Sequence, residues 1–167
     1  MLERIDRHGR SELDHRALRS AVLAEIRREV PFDAHVWLLL DPDTLVGWSP
    51  LAEVPLPDGL PSLVRARYLA RSQRWTDLPP GEARSLAFGP RAASGADPWQ
   101  DLLAAVGVDD VATVVVGDRF GIWGCLDLWR TGGTFSADEC SVLGEAARRV
   151  ALPLRRRLAA TFVAPWA

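Results

Sequence analysis

Lysine and asparagine are absent from this chain, and cysteine occurs only as Cys125 and Cys140. Without lysine the chain cannot form a Schiff base or a P-loop, and it has no lysine general base. Two cysteines exclude both a disulfide scaffold and a four-cysteine zinc site. The three histidines, His8, His15 and His35, are too scattered along the sequence to indicate a metal triad.

Long apolar runs and an excess of one charge are also lacking. The longest apolar run, residues 36–40, is far too short to span a bilayer. Residues 1–7 are charged and contain no apolar signal region, so we expect a cytoplasmic protein with no membrane partner. All 20 basic residues are arginine, and 22 acidic residues balance them, which argues against a dedicated nucleic-acid surface.

The chain has the length and composition of one soluble globular domain, with 167 residues of which 48% are hydrophobic. We expect a flexible N-terminus over residues 1–11 and a folded domain over 12–153. Residues 154–167 are expected to form an extension or linker. No repeat and no low-complexity tract interrupts this organisation.

Local signals predict helices and hairpins in alternation. The predicted helices cover 12–30, with Ser11 as its cap, then 62–72, a short one that begins at Asp97-Pro98, and 137–152, which Pro153 ends or kinks. The predicted hairpins cover 36–48 and 111–130. This order is typical of an α+β fold with one mixed or antiparallel sheet.

The C-terminal half resembles a known domain type. The turn 118–121, the strand Gly124–Arg130 and the segment Phe135–Glu139 resemble the closing hairpin and last helix of GAF domains. The finer pattern is similar to the N-terminal GAF-like domain of actinobacterial LuxR-type transcription regulators, a source that the arginine-only composition fits.

The resemblance implies a GAF/PAS-like antiparallel sheet of about six strands. Terminal helices would cover one face, and loops plus a helix would cover the other and enclose a ligand. In such regulators a helix-turn-helix domain follows, so we expect DNA to be contacted only through a domain that this sequence does not contain.

Tryptophan provides the candidate site. On the last strand Ile122, Gly124, Leu126 and Leu128 share one face, which we expect against the terminal helices. The other face mixes apolar and polar groups, as a ligand pocket does. Together with the tryptophans of the first hairpin, it gives the predicted ligand-binding set Trp37, Trp48, Trp123, Cys125, Asp127 and Trp129. The alternative is that these tryptophans fill the core and bond their indole N–H groups to carbonyls.

Asp127 is the most informative residue of this set, because a carboxylate in an apolar strand needs a partner or solvent. It could accept hydrogen bonds from a ligand, or it could pair with an arginine such as Arg119 or Arg130. Cys125 and Cys140 are interpreted as small buried hydrophobic residues.

We therefore expect a non-catalytic, small-molecule-sensing regulatory domain, with the ligand and any cofactor unidentified. One alternative is a ligand-free dimerisation or interaction module with a filled aromatic core. Another is a small redox enzyme that uses Cys125. A homodimer through the terminal helices is predicted from two apolar stripes, Leu18, Val22, Ile26 and Val30 on the first helix and Val142, Leu143, Ala146 and Val150 on the last.

Overall fold

The computed structural model describes residues 1–56, 59–88 and 97–161. The helices are α1 (Leu2–Arg10), α2 (His15–Glu29), α3 (Leu60–Leu69), α4 (Pro98–Ala105) and α5 (Ala137–Thr161). The strands are β1 (Ala34–Leu40), β2 (Gly47–Glu53), β3 (Ala83–Ala87), β4 (Asp110–Asp118) and β5 (Gly121–Arg130). A 3₁₀ turn, Trp75–Asp77, lies between α3 and β3.

All strand pairs are antiparallel, and the strands lie in the order β2-β1-β5-β4-β3. The predicted α+β class with an antiparallel sheet is confirmed. The described residues form five strands, against the six or so that the resemblance implied. Both predicted hairpins are present, and β2 begins later than expected and continues through Pro50 to Glu53.

The terminal helices α2 and α5 cover one face of the sheet, as expected, and α1 packs on both of them. Leu126 and Leu128 of β5 belong to this core. The two apolar stripes from which a dimer was predicted are buried in this core, since Leu18, Ile26 and Leu143 pack against the sheet of their own chain. Burying such side chains stabilises each by roughly 1.5–3 kcal/mol relative to exposure, which explains why the stripes turn inward.

The other face is covered by α3, α4 and the 3₁₀ turn. Its core includes Val36 and Leu38 of β1, Leu63 of α3 and Trp99 of α4. The predicted N-cap of α4 is confirmed, because the Asp97 carboxylate accepts hydrogen bonds from the backbone N–H groups of residues 99 and 100.

The prediction of a flexible N-terminus over residues 1–11 is wrong for this structure. Residues 2–10 form α1, which buries Ile5 and packs on α5. Arg157 of α5 holds this junction, because its guanidinium donates to the carbonyls of Ser11 at 2.5 Å and Leu13 at 2.6 Å. Ser11 does not cap α2; Asp14 does, by accepting from two backbone N–H groups.

Helix α5 extends further than the sequence predicted. Its start is confirmed, with Ser136 and Glu139 in a reciprocal capping box. Pro153 does not end it: the helix continues to Thr161, because Leu154 and Leu158 are buried in the core. Residues 162–167 of the predicted extension lie outside the described residues. Within the described ranges, no helix combines the length and apolar character that a membrane span needs.

Candidate functional site

A buried ion pair lies on the face of the sheet opposite the terminal helices. The Arg67 guanidinium donates from Nε to Asp127 Oδ2 at 2.8 Å and from Nη2 to Oδ1 at 3.3 Å. Thr113 Oγ1 donates to Asp127 Oδ1 at 2.7 Å. Arg67 is 4% exposed and Asp127 6% exposed, so the pair is almost entirely removed from water.

Strand register and helix periodicity bring these three side chains together. Thr113 of β4 lies directly opposite Asp127 of β5, so both side chains project from the same face. Arg67 follows Leu63 by one helical turn on α3 and therefore shares its buried face. A cation thus occupies a core position of the helix, directly above the carboxylate.

Two tryptophans enclose the guanidinium. The Cζ atom of Arg67 lies 4.1 Å from the centroid of the Trp99 ring and 5.0 Å from that of Trp75. Both contacts are within the range of cation–π attraction, which is strongest when the cation is desolvated. Arg67 is therefore held by a carboxylate at one end and aromatic faces around it.

The surroundings keep the Arg67 guanidinium charged and the neighbouring Cys125 thiol neutral. Burial is the largest single influence and would lower the pKa of Arg67, but the neighbouring acidic groups, Asp127 first among them, together outweigh it and the net pKa is raised. Burial raises the pKa of the neighbouring Cys125 thiol well above its usual value. Cys125 is therefore a thiol at neutral pH and a poor nucleophile.

A small cavity lies against the ion pair, with a free volume of about 10 Å³. This is at the lower limit for one water molecule. Its lining is Val36, Leu38, Leu63, Val64, Arg67, Trp75, Trp99, Cys125, Asp127 and Trp129. Two donors on this lining, Arg67 Nη1 and Trp129 Nε1, are buried without a hydrogen-bond partner among the described residues.

A larger outer groove, of about 190 Å³, adjoins the cavity. We define it by its lining, Thr44, Leu45, Arg67, Tyr68, Arg74, Trp75 and Thr76. Arg67 and Trp75 line both spaces, so they form the wall between the groove and the cavity.

The backbone beside this wall is strained at two places. Gln73 has a φ of 50° and Leu45 a φ of 56°, a region that residues with a side chain rarely occupy. The carbonyl of Gln73 accepts from Arg67 Nη2 at 2.9 Å, which ties one strained residue to the ion pair. Strain of this kind often accompanies segments that change conformation.

The structure brings together three of the six residues in the predicted set. Cys125, Asp127 and Trp129 line the cavity. Trp37 faces the terminal helices, because it pairs with Leu126 and so shares that residue's side of the sheet.

The other two predicted residues also lie on the helix-covered side. Trp48 pairs with Leu39 and packs against the same core. Trp123 was expected on the same face of the sheet as Cys125, and this was wrong. The register of β4 and β5 shifts after Val116, which turns Trp123 to the helix-covered face. The same bulge turns Ile122 to the opposite face.

The partner of Asp127 was not found from the sequence. An ion pair was one of the expected outcomes, but neither Arg119 nor Arg130 forms it; Arg130 pairs with Glu139 instead. The signal for Arg67 was present in its spacing from Leu63 on a predicted helix. A cation at an apolar helical position, with a carboxylate in an apolar strand, indicates a buried pair.

The interpretation of the cysteines holds for Cys125, which is buried, whereas Cys140 is only partly buried. Within the part of the chain that is described, no group of three or more His, Cys, Asp or Glu residues could hold a metal ion.

No family model matches the sequence, and no curated protein matches it. Several solved structures have a similar fold. An N-acylhomoserine-lactone-dependent LuxR-family transcription factor from Burkholderia cenocepacia superposes with a TM-score of 0.66, at 19% identity over 95% of both chains.

Two similar structures are GAF domains. The GAF3 domain of a Synechocystis sp. protein, solved in its photoproduct state, gives a TM-score of 0.55 at 20% identity, over 98% of this chain and 100% of that one. A GAF domain/HD domain protein from Geobacter sulfurreducens gives 0.57 at 14% identity, over 89% and 97%. At these identities the likeness establishes the fold, which is GAF-like.

Proposed function

We propose that this chain is a non-catalytic GAF-like sensor domain that binds a small molecule beside the Arg67–Asp127 pair. The observation that carries the proposal is a buried, charged cluster on the wall of a cavity, with two donors that have no partner among the described residues. Buried polar groups are normally satisfied, and each exception needs an explanation, of which a further binding partner is one.

Folding alone gives little reason for such a pair. Replacing a buried ion pair by apolar side chains of similar volume is often neutral or stabilising. Arg67 and Asp127 instead present polar groups in an otherwise apolar and aromatic lining, which is the usual composition of a small-molecule site.

The sheet provides a route from this site to the terminal helices. Along β5, Asp127 and Trp129 face the cavity while Leu126 and Leu128 pack under the helices. A ligand that shifts β5 therefore changes the packing of α5 as well, and it favours whichever arrangement binds it more tightly.

We further propose that the domain belongs to a LuxR-type transcriptional regulator. The support is the likeness, over nearly the whole of both chains, to a LuxR-family factor whose name states dependence on an N-acylhomoserine lactone. In this proposal the protein is cytoplasmic and contacts DNA only through a helix-turn-helix domain outside this sequence. A homodimer would use the outer surface of the terminal helices, since their apolar stripes are buried within the chain.

A ligand-free interaction module remains the second candidate, and one observation favours it. The free cavity of about 10 Å³ is too small for an organic ligand unless side chains move. A redox enzyme is disfavoured, because the Cys125 thiol is buried and its pKa is raised.

Native mass spectrometry of the purified chain tests the proposal. We expect a fraction with extra mass that is lost on denaturation, and we expect Trp129→Phe to reduce that fraction. Trp37→Phe is the matched control, because Trp37 is equally buried and its Nε1 also lacks a partner in the described part of the chain, but it faces the terminal helices. Extra mass that both variants retain equally would contradict this location of the site.

A further inference from the structure

The polar groups of the cavity are unbalanced toward donors. Arg67 Nη1 and Trp129 Nε1 have no acceptor among the described residues, and the two residues are 4% and 1% exposed. The oxygens of Asp127 already accept three hydrogen bonds, from Arg67 and Thr113. A molecule that completes this site must therefore bring acceptor atoms rather than donors.

Charge restricts the occupant further. The Arg67 guanidinium and the Asp127 carboxylate cancel, so the site is neutral in sum. A cationic ligand would face the guanidinium without a free carboxylate to pair with. An anionic ligand would share the guanidinium with Asp127 and leave one net negative charge in an apolar surrounding, which is strongly unfavourable.

The remaining surface is apolar. Apart from the ion pair and the Cys125 thiol, the cavity is lined by aliphatic and aromatic side chains, among them Trp75 and Trp99. Resting on the proposed function, we infer that the site takes an uncharged carbonyl compound, such as a ketone or an ester, with a compact apolar body. Its carbonyl oxygen accepts hydrogen bonds from Arg67 Nη1 and Trp129 Nε1.

Trp75 is the side chain that must move to admit such a molecule. Arg67, the other member of the wall, is fixed by its hydrogen bonds to Asp127. Trp75 is held through ring contacts, one of them an edge contact with Tyr68 at 4.9 Å between centroids. Displacing its indole joins the cavity to the outer groove of about 190 Å³.

Four probes of similar size separate the ligand classes: acetophenone, ethylbenzene, benzoate and benzylamine. Titration into ¹⁵N-labelled protein is followed through the indole N–H signals of the seven tryptophans. The Trp129 and Trp37 signals are assigned by their loss in Trp129→Phe and Trp37→Phe. We expect acetophenone to shift the Trp129 signal saturably and to leave the Trp37 signal unchanged.

Loss of one hydrogen-bond donor makes acetophenone bind about five- to tenfold more weakly to Trp129→Phe. Its affinity for Trp37→Phe should equal that for the wild type. We also expect ethylbenzene to bind at least about fivefold more weakly than acetophenone, since it has the same shape without the acceptor. Benzoate and benzylamine should not shift the Trp129 signal.

The outcomes distinguish the two proposals. If ethylbenzene, benzoate or benzylamine shifts the Trp129 signal as strongly as acetophenone does, a ligand site exists but the carbonyl inference is wrong. The Trp75→Phe variant has a smaller side chain in the wall and therefore a wider entrance from the outer groove to the cavity. If no probe shifts the Trp129 signal in the wild type or in Trp75→Phe, the core is sealed, and both the inference and the proposed function are overturned.

Discussion

Removing one member of the Arg67–Asp127 pair should destabilise the fold far more than removing both. In Arg67→Met, the Asp127 carboxylate stays buried, and of its hydrogen bonds with the described residues it keeps only the one from Thr113. Breaking a buried pair in this way costs about 3–5 kcal/mol of unfolding free energy. For a chain of this length, that corresponds to a fall of roughly 6–20 °C in Tm.

The double variant Arg67→Met, Asp127→Leu removes both charges and keeps apolar volume. We expect it to be within about 2 kcal/mol of the wild type, because neither partner is left as an isolated buried charge. The two single losses therefore do not add, and the coupling energy of the cycle should be about 3 kcal/mol or more.

Arg84→Met is the matched control, since it also removes an arginine from an ion pair. Arg84 Nη2 lies 4.0 Å from Glu82 Oε2, and both side chains are more than half exposed. The loss of such a pair changes stability by less than about 1 kcal/mol.

Urea unfolding should be followed by far-ultraviolet circular dichroism. Tryptophan fluorescence would report the lost contacts of Arg67 with Trp75 and Trp99 as well as unfolding. A loss in Arg67→Met no larger than in Arg84→Met would refute the buried pair. So would a double variant whose loss equals the sum of the two single losses.

Two further predictions concern the helix-covered side and its edge. Arg157→Leu should lower the unfolding free energy by about 2 kcal/mol, because it removes a charged donor from the carbonyls at the α1–α2 junction. The control is Arg156→Leu, which changes an exposed neighbour and should alter the unfolding free energy by less than about 0.5 kcal/mol. Equal losses of the two variants in urea unfolding would contradict the role of Arg157. Burial and the positive charge of Arg27, opposed by Glu53, lower the pKa of His35 to about 4 from 6.5. The unfolded chain therefore takes up the His35 proton first as the pH falls, so stability is present above pH 6.5 and declines below it. Between pH 6.5 and about 5 this loss should be about 1 kcal/mol larger in the wild type than in His35→Gln, and parallel pH profiles of the two proteins would contradict it.

The sequence by itself predicted the elements whose signals are local. The N-cap Asp97 and the capping box of Ser136 with Glu139 mark the starts of α4 and α5, because the capping hydrogen bonds involve neighbours in the chain. The alternation of β5 placed Leu126 and Leu128 under the helices and Cys125, Asp127 and Trp129 on the other face.

Features that depend on distant contacts were predicted wrongly or not at all. Helix α1 is stable because α5 packs over Ile5 and Arg157 of α5 donates to the carbonyl of Ser11 at the end of α1. Helix α5 continues past Pro153 because Leu154 and Leu158 are buried. Trp123 changed face through a bulge, which is set by the pairing of β4 with β5 rather than by its own neighbours.

The candidate site also combines features that the sequence predicted with features that depend on distant contacts. Composition and alternation determined that a carboxylate and a tryptophan share one face of the last strand. Only the tertiary structure decided that Arg67 neutralises Asp127, since 60 residues separate them and α3 must first pack on the face of the sheet that carries Asp127. Within the described ranges the same packing left Arg67 Nη1 and Trp129 Nε1 without acceptors, because whether a buried donor is satisfied depends on what the fold brings within about 3 Å of it.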